Sequence, residues 1–326
     1  MSGGAFRLSV AVPVYNEEEA IPLLLARLGA VLDALPGGPH EMVFVDDGSR
    51  DGSLALLRAA AAADPRVRAV SLSRNFGHQQ AITAALDHAT GDAVLVMDAD
   101  LQDTPESIPE FVDLFRQGYD VVYARRVARK EAAWKRAAYY GFYRLAARLS
   151  TVPLPLDAGD FGLMSRRVVD LLRAMPERHR YLRGMRAWAG FRQIGVPVER
   201  AERGAGESKY SLRRLMGLAF DGIFAFSVIP LRAAAAAGVL AMLLSALFAL
   251  YSLVAKLFLG QSPQGFTALI LVITFLSGVQ LLFLGVIGEY LGRVYEEVKQ
   301  RPTYVVGEVL GGAAPAQSTV PADPAR

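Results

Sequence analysis

Five short β-type runs, set apart by helix-length intervals, constrain this chain more than any other feature. They are Leu8–Val14, Glu41–Val45, Val67–Leu72, Ala93–Met97 and Asp120–Ala124. Between them the apolar spacing is helical: to about Leu35 before the Pro36-Gly-Gly-Pro39 turn, after a cap at Asp51, through Ala89 beyond Ser73-Arg74-Asn75-Phe76-Gly77, and over Pro105–Gln117 behind Thr104. Short β-type runs alternating with helices predict an α/β domain with a mostly parallel sheet. Ligands of such sheets sit beyond the carboxyl ends of the strands. The polar clusters Tyr15-Asn16-Glu17, Asp46-Asp47-Gly48-Ser49, Arg74 and Asp98–Gln102 all fall at such ends, which marks them as an active site.

The fourth run ends in Asp98-Ala99-Asp100-Leu101-Gln102-Asp103. Alternation along an extended backbone puts Asp98 and Asp100 on one side, with Gln102 continuing the spacing. Two carboxylates at the end of a buried strand suit a hard cation, Mg²⁺ or Mn²⁺, which fills its remaining positions with water and phosphate oxygens. The plainer alternative is a polar strand end that caps the next helix. No Walker lysine and no GxGxxG follow the first strand, so P-loop and dinucleotide chemistry lose their main support. The absence of cysteine excludes thiolate catalysis, disulfides and Cys-ligated zinc. His40, His78, His88 and His179 show no metal-ligand spacing and read as structural or solvated residues.

The ordered set Val12-Pro-Val-Tyr-Asn-Glu17, Val45-Asp-Asp-Gly-Ser49 and Met97-Asp-Ala-Asp-Leu-Gln-Asp103 resembles the family 2 glycosyltransferases of the GT-A (Rossmann-like) fold. Leu72-Ser-Arg-Asn-Phe-Gly-His-Gln79, Asp157-Ala-Gly-Asp-Phe161, Gly206-Glu-Ser-Lys-Tyr-Ser211 and Gly288-Glu-Tyr-Leu-Gly-Arg293 narrow the likeness to bacterial polyisoprenyl-phosphate glycosyltransferases. These are relatives of dolichol-phosphate mannose synthase, and the glucosyl (GtrB-like) branch is most similar. The resemblance runs from about Leu8 to Thr303. It implies that Pro13, Tyr15, Glu17, Asp46 and Arg74 hold the nucleoside, and that Asp98, Asp100 and Gln102 hold the metal on the donor diphosphate. It also implies that Arg125 binds the acceptor phosphate, with Arg126 as the alternative, and that Asp157 or, next, Asp160 is the general base. Tyr15 is alternatively a half-buried ring, and Arg74 a cation paired with Asp47. Lys209, after the Gly204–Ser208 loop, either reaches a phosphate or starts the next helix. A phosphate monoester has a second pKa of roughly 6 and needs little deprotonation at neutral pH. An electrostatic or orienting role for the aspartate is therefore as consistent as a base.

The second half of the chain reads as membrane-directed. Arg125–Arg148 carries eight basic residues and one acid, Glu131, with Trp134, Ala138, Phe142, Leu145 and Leu149 on one helical face. Such a helix lies in an interface of anionic lipid; nothing else in the chain supports nucleic-acid binding. Leu212, Leu215, Met216, Ala219, Phe220 and Ile223 mark a second amphipathic helix. Ala233–Leu259 and Phe266–Gly288 are each long enough to span a bilayer. Arginine and lysine flank the outer ends of this hairpin, which places both termini in the cytoplasm. No secretory signal is visible at the N-terminus, in keeping with that orientation.

The expected organisation is a nucleotide-sugar-binding part over 1–130, an acceptor-side part over 131–228, a transmembrane hairpin over 229–292, and a cytoplasmic tail over 293–326 that is disordered from Gly311. The expected activity is metal-dependent, inverting transfer of a sugar to polyprenyl phosphate at the cytoplasmic membrane face. The donor is a nucleotide sugar, UDP-glucose first and a GDP-sugar next, by resemblance. The rivals are another lipid or polysaccharide acceptor, and a non-catalytic membrane scaffold. A homo-oligomer stays open.

Overall fold

A computed structural model describes residues 6–126, 158–178, 180–198, 229–259 and 265–312. They form two compact units, one built on a sheet and one on two long helices.

In the first unit the sheet-forming sequence runs β1 (Leu8–Val14), α1 (Ile21–Ala34), β2 (Glu41–Asp46), α2 (Ser53–Ala63), β3 (Val67–Leu72), α3 (His78–His88) and β4 (Ala93–Val96). A 3₁₀ turn at Pro105–Ser107 then leads into α4 (Ile108–Arg116) and β5 (Val121–Arg126). Further on come β6 (Ala158–Ser165), α5 (Arg166–Ala174), α6 (Leu182–Trp188) and β7 (Gln193–Val198). The eighth strand, β8 (Val306–Leu310), comes last in the chain. The sheet order is β7-β5-β6-β4-β1-β2-β3-β8. β1 pairs in parallel with β2 and β4, β2 with β3, and β5 with β7, whereas β6 and β8 run antiparallel to their neighbours. The expected mostly parallel sheet is therefore present, with two antiparallel insertions that the apolar runs did not announce.

Strand alternation divides the core between the two faces. Leu8, Val10, Val12 and Val14 face α1 and α4 through Leu24, Leu28 and Phe111. Ala11, Val43 and Val45 face α3 and α5 through Ile82, Leu86, Val168 and Leu172. At the amino ends of the strands the buried Glu41 carboxylate accepts from Ser9 Oγ (2.5 Å), Thr90 N (2.6 Å) and Thr90 Oγ1 (2.9 Å), and pairs with Arg7 (2.9 Å). These bonds hold its pKa below the ordinary glutamate value although burial pushes the other way.

The Asp157–Phe161 motif, which carried no element assignment, runs into β6. From Ala158 the chain is a strand wedged between β4 and β5. Its glycines hid it: a Cβ at Gly162 would stand 2.9 Å from the Val122 carbonyl oxygen, so only glycine admits that approach. β8 lies in the segment read as a tail. It covers the open edge of β3, with Ser73 N donating to Val305 O at 2.9 Å and Tyr304 Oη to Asp87 at 2.7 Å.

The second unit contains α7 (Ile229–Leu259) and α8 (Phe266–Val298), which pack on each other. Their bounds enclose both expected spans. Among the described residues one segment, Phe275–Val298, is long and apolar enough to cross a membrane, with a mean hydropathy of 1.5 and none of it buried. Ala234–Phe248 of α7 is a shorter apolar stretch.

Candidate active site at the carboxyl ends of the strands

The loops after β1 and β2 are stitched to each other. Asn16 N donates to Ser49 Oγ (3.0 Å), Arg50 N to Asn16 Oδ1 (2.8 Å), Glu17 N to Ser53 Oγ (2.9 Å) and Gly52 N to Glu18 Oε2 (2.6 Å). Asn16 takes φ +56°, a left-handed conformation that asparagine tolerates better than most residues. The turn leaves Tyr15 43% exposed, just beyond Pro13, which is buried in β1. Asp46 ends β2 fully buried. It accepts from Ser49 N at 3.2 Å and from Ser71 Oγ at 3.3 Å.

The next residue corrects the alternative pairing considered for Arg74. The Asp47 oxygens are taken by Phe76 N (2.7 Å) and Gly77 N (2.9 Å), so Asp47 fixes the loop that opens α3. Burial nonetheless raises its pKa. Arg74 instead lies exposed, its guanidinium 3.9 Å from the centre of the Phe76 ring, and donates to Asn75 O. Gly48, at φ +70°, lets the two loops touch, since a Cβ there would lie 2.7 Å from Arg74 C and Asn75 N. Pro13, Tyr15, Glu17, Asp46 and Arg74 thus come from three adjacent strand ends, β1 to β3.

Asp98 and Asp100 do not lie on an extended strand. β4 stops at Val96, and the chain turns, with Leu101 at φ +59°. Carboxylates shape this turn: Gln102 N donates to Asp100 Oδ1 (3.1 Å) and Asp98 N to the buried Asp103 (3.3 Å). Asp98 and Asp100 therefore sit in a turn rather than on the alternating face of a strand. Among the described residues no group of three or more His, Cys, Asp or Glu forms a ready cation cage. The hard oxygen donors Asp98 and Asp100 still fit Mg²⁺ or Mn²⁺, because such ions use one or two carboxylates and take phosphate and water oxygens for the rest.

A cleft opens between this turn and β6, lined by Asp98, Asp103, Ala124, Gly159, Asp160, Phe161 and Val198. Asp160, with 6% of its side chain exposed, is gripped by Arg183 of α6, whose Nε and Nη2 reach its two oxygens at 2.8 Å each. Burial opposes ionisation of Asp160, but the guanidinium prevails and holds its pKa far below the carboxylate range; the pairing raises Arg183 in turn. Behind them Arg186 is 1% exposed, donates to Gly159 O at 3.3 Å and lies 5.0 Å from the Tyr123 ring centre. Complete burial pushes its pKa down to about 10. Arg125, on β5, is exposed and stands opposite Ala158; Arg126 pairs in register with Val198. Asp157, Lys209 and both amphipathic helices lie outside the described residues.

His78 was read as structural or solvated, yet it belongs to this site. Its Nε2 lies 3.6 Å from Asp98 Oδ1 and 3.6 Å from Asp160 Oδ2. Burial lowers its pKa, but the two carboxylates outweigh burial and the net shift is upward. Asp47, Asp103, Arg183 and Arg186 were likewise unassigned. The two aspartates sit inside motifs already singled out, whereas no sequence signal marks which of the many arginines in 166–192 enter the site.

The family model described as Glycosyl transferase family 2 matches residues 9–172. The chain is 45% identical over 304 residues to the "Uncharacterized glycosyltransferase YkcC" of Bacillus subtilis (strain 168), covering 93% of this chain and 94% of that one. It is 44% identical over 305 residues to the "Uncharacterized glycosyltransferase sll0501" of Synechocystis sp., with 93% and 96% covered. It is 40% identical over 301 residues to the "SfII prophage-derived bactoprenol glucosyl transferase" of Shigella flexneri, with 92% and 97% covered. With its GT-A sheet and this match over both the motifs and nearly the full length, the chain belongs to glycosyl transferase family 2.

Proposed function

We propose that this glycosyltransferase moves a sugar, glucose first, from a uridine diphosphate donor to polyprenyl phosphate at the cytoplasmic face of a bacterial membrane. One observation carries the acceptor class: the near full-length likeness to a bactoprenol glucosyl transferase. The exposed apolar length of α8 agrees with work at a bilayer, and the hairpin with both termini in the cytoplasm completes the reading.

Tyr15 stacks on the base, Glu17 and Asp46 accept its N–H groups, and Pro13 and Arg74 complete the nucleoside site. Asp98 and Asp100, with Gln102, would hold Mg²⁺ or Mn²⁺, which neutralises charge on the departing diphosphate. Arg125 binds the acceptor phosphate as a fork, and Lys209 is assigned to a donor phosphate. An acceptor phosphate oxygen then attacks the anomeric carbon, the bond to the nucleotide's terminal phosphate breaks, and the configuration inverts. Much of the rate enhancement comes from bringing two anionic substrates together in line. Asp160 is a poor base because Arg183 keeps it ionised and both its oxygens occupied. The base role, if the dianionic acceptor needs one, falls to Asp157.

The test is purified protein in detergent with Mn²⁺ or Mg²⁺, undecaprenyl phosphate and a panel of nucleotide sugars, read as a lipid-linked product. Product from one donor, lost with EDTA and with Asp100→Ala, is expected. Nucleotide binding without product from any donor would overturn the acceptor assignment.

A further inference from the structure

We propose that His78 is a positioning residue for Asp98, anchored on the Asp160–Arg183 pair. The inference rests on the reading of Asp98 as a ligand of the donor's cation and deepens it.

The anchor is fixed first. Asp160 has both oxygens bound at 2.8 Å by Arg183 and only 6% of its side chain exposed, so this carboxylate is the immobile member. The backbone of His78 is fixed second. It is the first residue of α3, and the loop before it is tied to β2 where Phe76 N and Gly77 N donate to Asp47. Gly77 itself takes φ +110°, a conformation that a side chain would strain, so the approach to His78 follows a path open to glycine. The imidazole therefore starts from a rigid base and points to where β4 ends and β6 begins.

Its Nε2 is equidistant, 3.6 Å, from one oxygen of Asp98 and one of Asp160. That is just beyond hydrogen-bond length, and contacts of this kind tighten when substrate completes the site. Two carboxylates facing the same space repel each other; a donor between them removes that repulsion and gives Asp98 one preferred orientation. Carboxylates that bind metals are commonly aimed this way, by a hydrogen bond from a residue that never touches the ion. His78 thereby connects four elements that carry the site: β2 through Asp47, α3 itself, β4 through Asp98, and β6 through Asp160.

The experiment compares wild type, His78→Ala and His78→Gln as full-length protein in detergent. Mn²⁺ binding in the presence of UDP is followed by electron paramagnetic resonance, beside sugar-transfer kinetics and thermal melting. Removing a residue that orients a metal ligand costs 10–100-fold in metal affinity or activity, so His78→Ala is expected to weaken Mn²⁺ binding by about that factor. His78→Gln, whose amide N–H can reach the same oxygens, is expected to recover most of it. Melting points should agree within a few degrees, since the side chain is half exposed. Should the Ala variant fail to fold, His78→Asn, with too short an amide to reach, replaces it. Mn²⁺ binding by His78→Ala equal to wild type, or a Gln variant as weak as Ala, overturns the proposal. Wild type that binds Mn²⁺ and UDP but transfers no sugar would instead sink the transfer reading, leaving the binding arm to judge His78.

Discussion

Replacing Arg183 by methionine strands the Asp160 carboxylate, only 6% exposed, without the guanidinium that reaches both its oxygens at 2.8 Å. Breaking a buried pair by removing one partner costs about 3–5 kcal/mol, because the remaining charge is uncompensated. Asp160 can escape part of that penalty by taking up a proton, which sets the expectation near the lower end, about 3 kcal/mol at neutral pH. For a folded unit on the order of 200 residues each kcal/mol moves the melting point by about 2–4 °C, so Arg183→Met should melt about 6–12 °C below wild type. The pH dependence has a definite sign. In wild type the folded pKa of Asp160 lies below its unfolded value, so its contribution is present above about pH 4 and fades as pH falls through the folded value. In the variant the folded pKa lies above the unfolded value, and acidification relieves the buried charge. The gap between the two proteins should therefore narrow from about pH 7.5 to about pH 5.5. Adding Asp160→Asn, which removes the charge, should recover at least half the loss. Fluorescence-monitored melts in detergent measure all three proteins. A shift below about 2 °C, which corresponds to less than 1 kcal/mol, would refute the reasoning. So would a gap independent of pH, or a double variant no better than the single.

At the opposite end of the strands, Glu41 has a folded pKa below its ordinary value, so its stabilisation is present above about pH 4.3 and lost as pH falls through the folded value. The melting-point gap between wild type and Glu41→Gln should thus shrink on acidification from about pH 6 to about pH 3, and a constant gap would contradict this account. Gly48→Ala forces a Cβ to within 2.7 Å of the Arg74–Asn75 backbone at φ +70°, and is expected to cost about 1–3 kcal/mol and to displace Arg74. UDP titration calorimetry should then show binding several-fold weaker, and wild-type affinity would count against donor contact by Arg74.

The parts of the fold that could be read from the chain are those written in local pattern. β1 and β3 have the expected limits because each is a short β-type run closed by polar residues, Tyr15-Asn16-Glu17 after β1 and Ser73-Arg74-Asn75 after β3. β6 escaped because Gly159, Asp160 and Gly162 break the apolar pattern, and their burial is imposed by β4, β5 and Arg186 rather than by their own composition. β8 escaped because Val-Gly-Glu-Val-Leu is too short to be distinctive and gains its role only at the β3 edge. Candidate residues at strand ends, such as Asp46, Asp98 and Arg74, were legible because chain topology alone puts them there. His78, Arg183 and Arg186 were not, since their partners lie on other elements and are brought near only by the antiparallel insertion of β6. Asp160 was visible as a residue, but its service as an anchor followed only from its bidentate partner.

The late position of β8 bears on how the molecule is made. A chain emerging in order delivers β1 to β7, then both long apolar helices, and only then the strand that closes the β3 edge. Until that moment β3 presents an unpaired row of backbone donors and acceptors, the kind of edge on which chains aggregate. The sheet therefore cannot be completed before both apolar helices have been synthesised, which makes closure of the β3 edge the last step in folding the sheet. A stalled or prematurely ended chain would be exposed at the same edge that the finished protein has sealed.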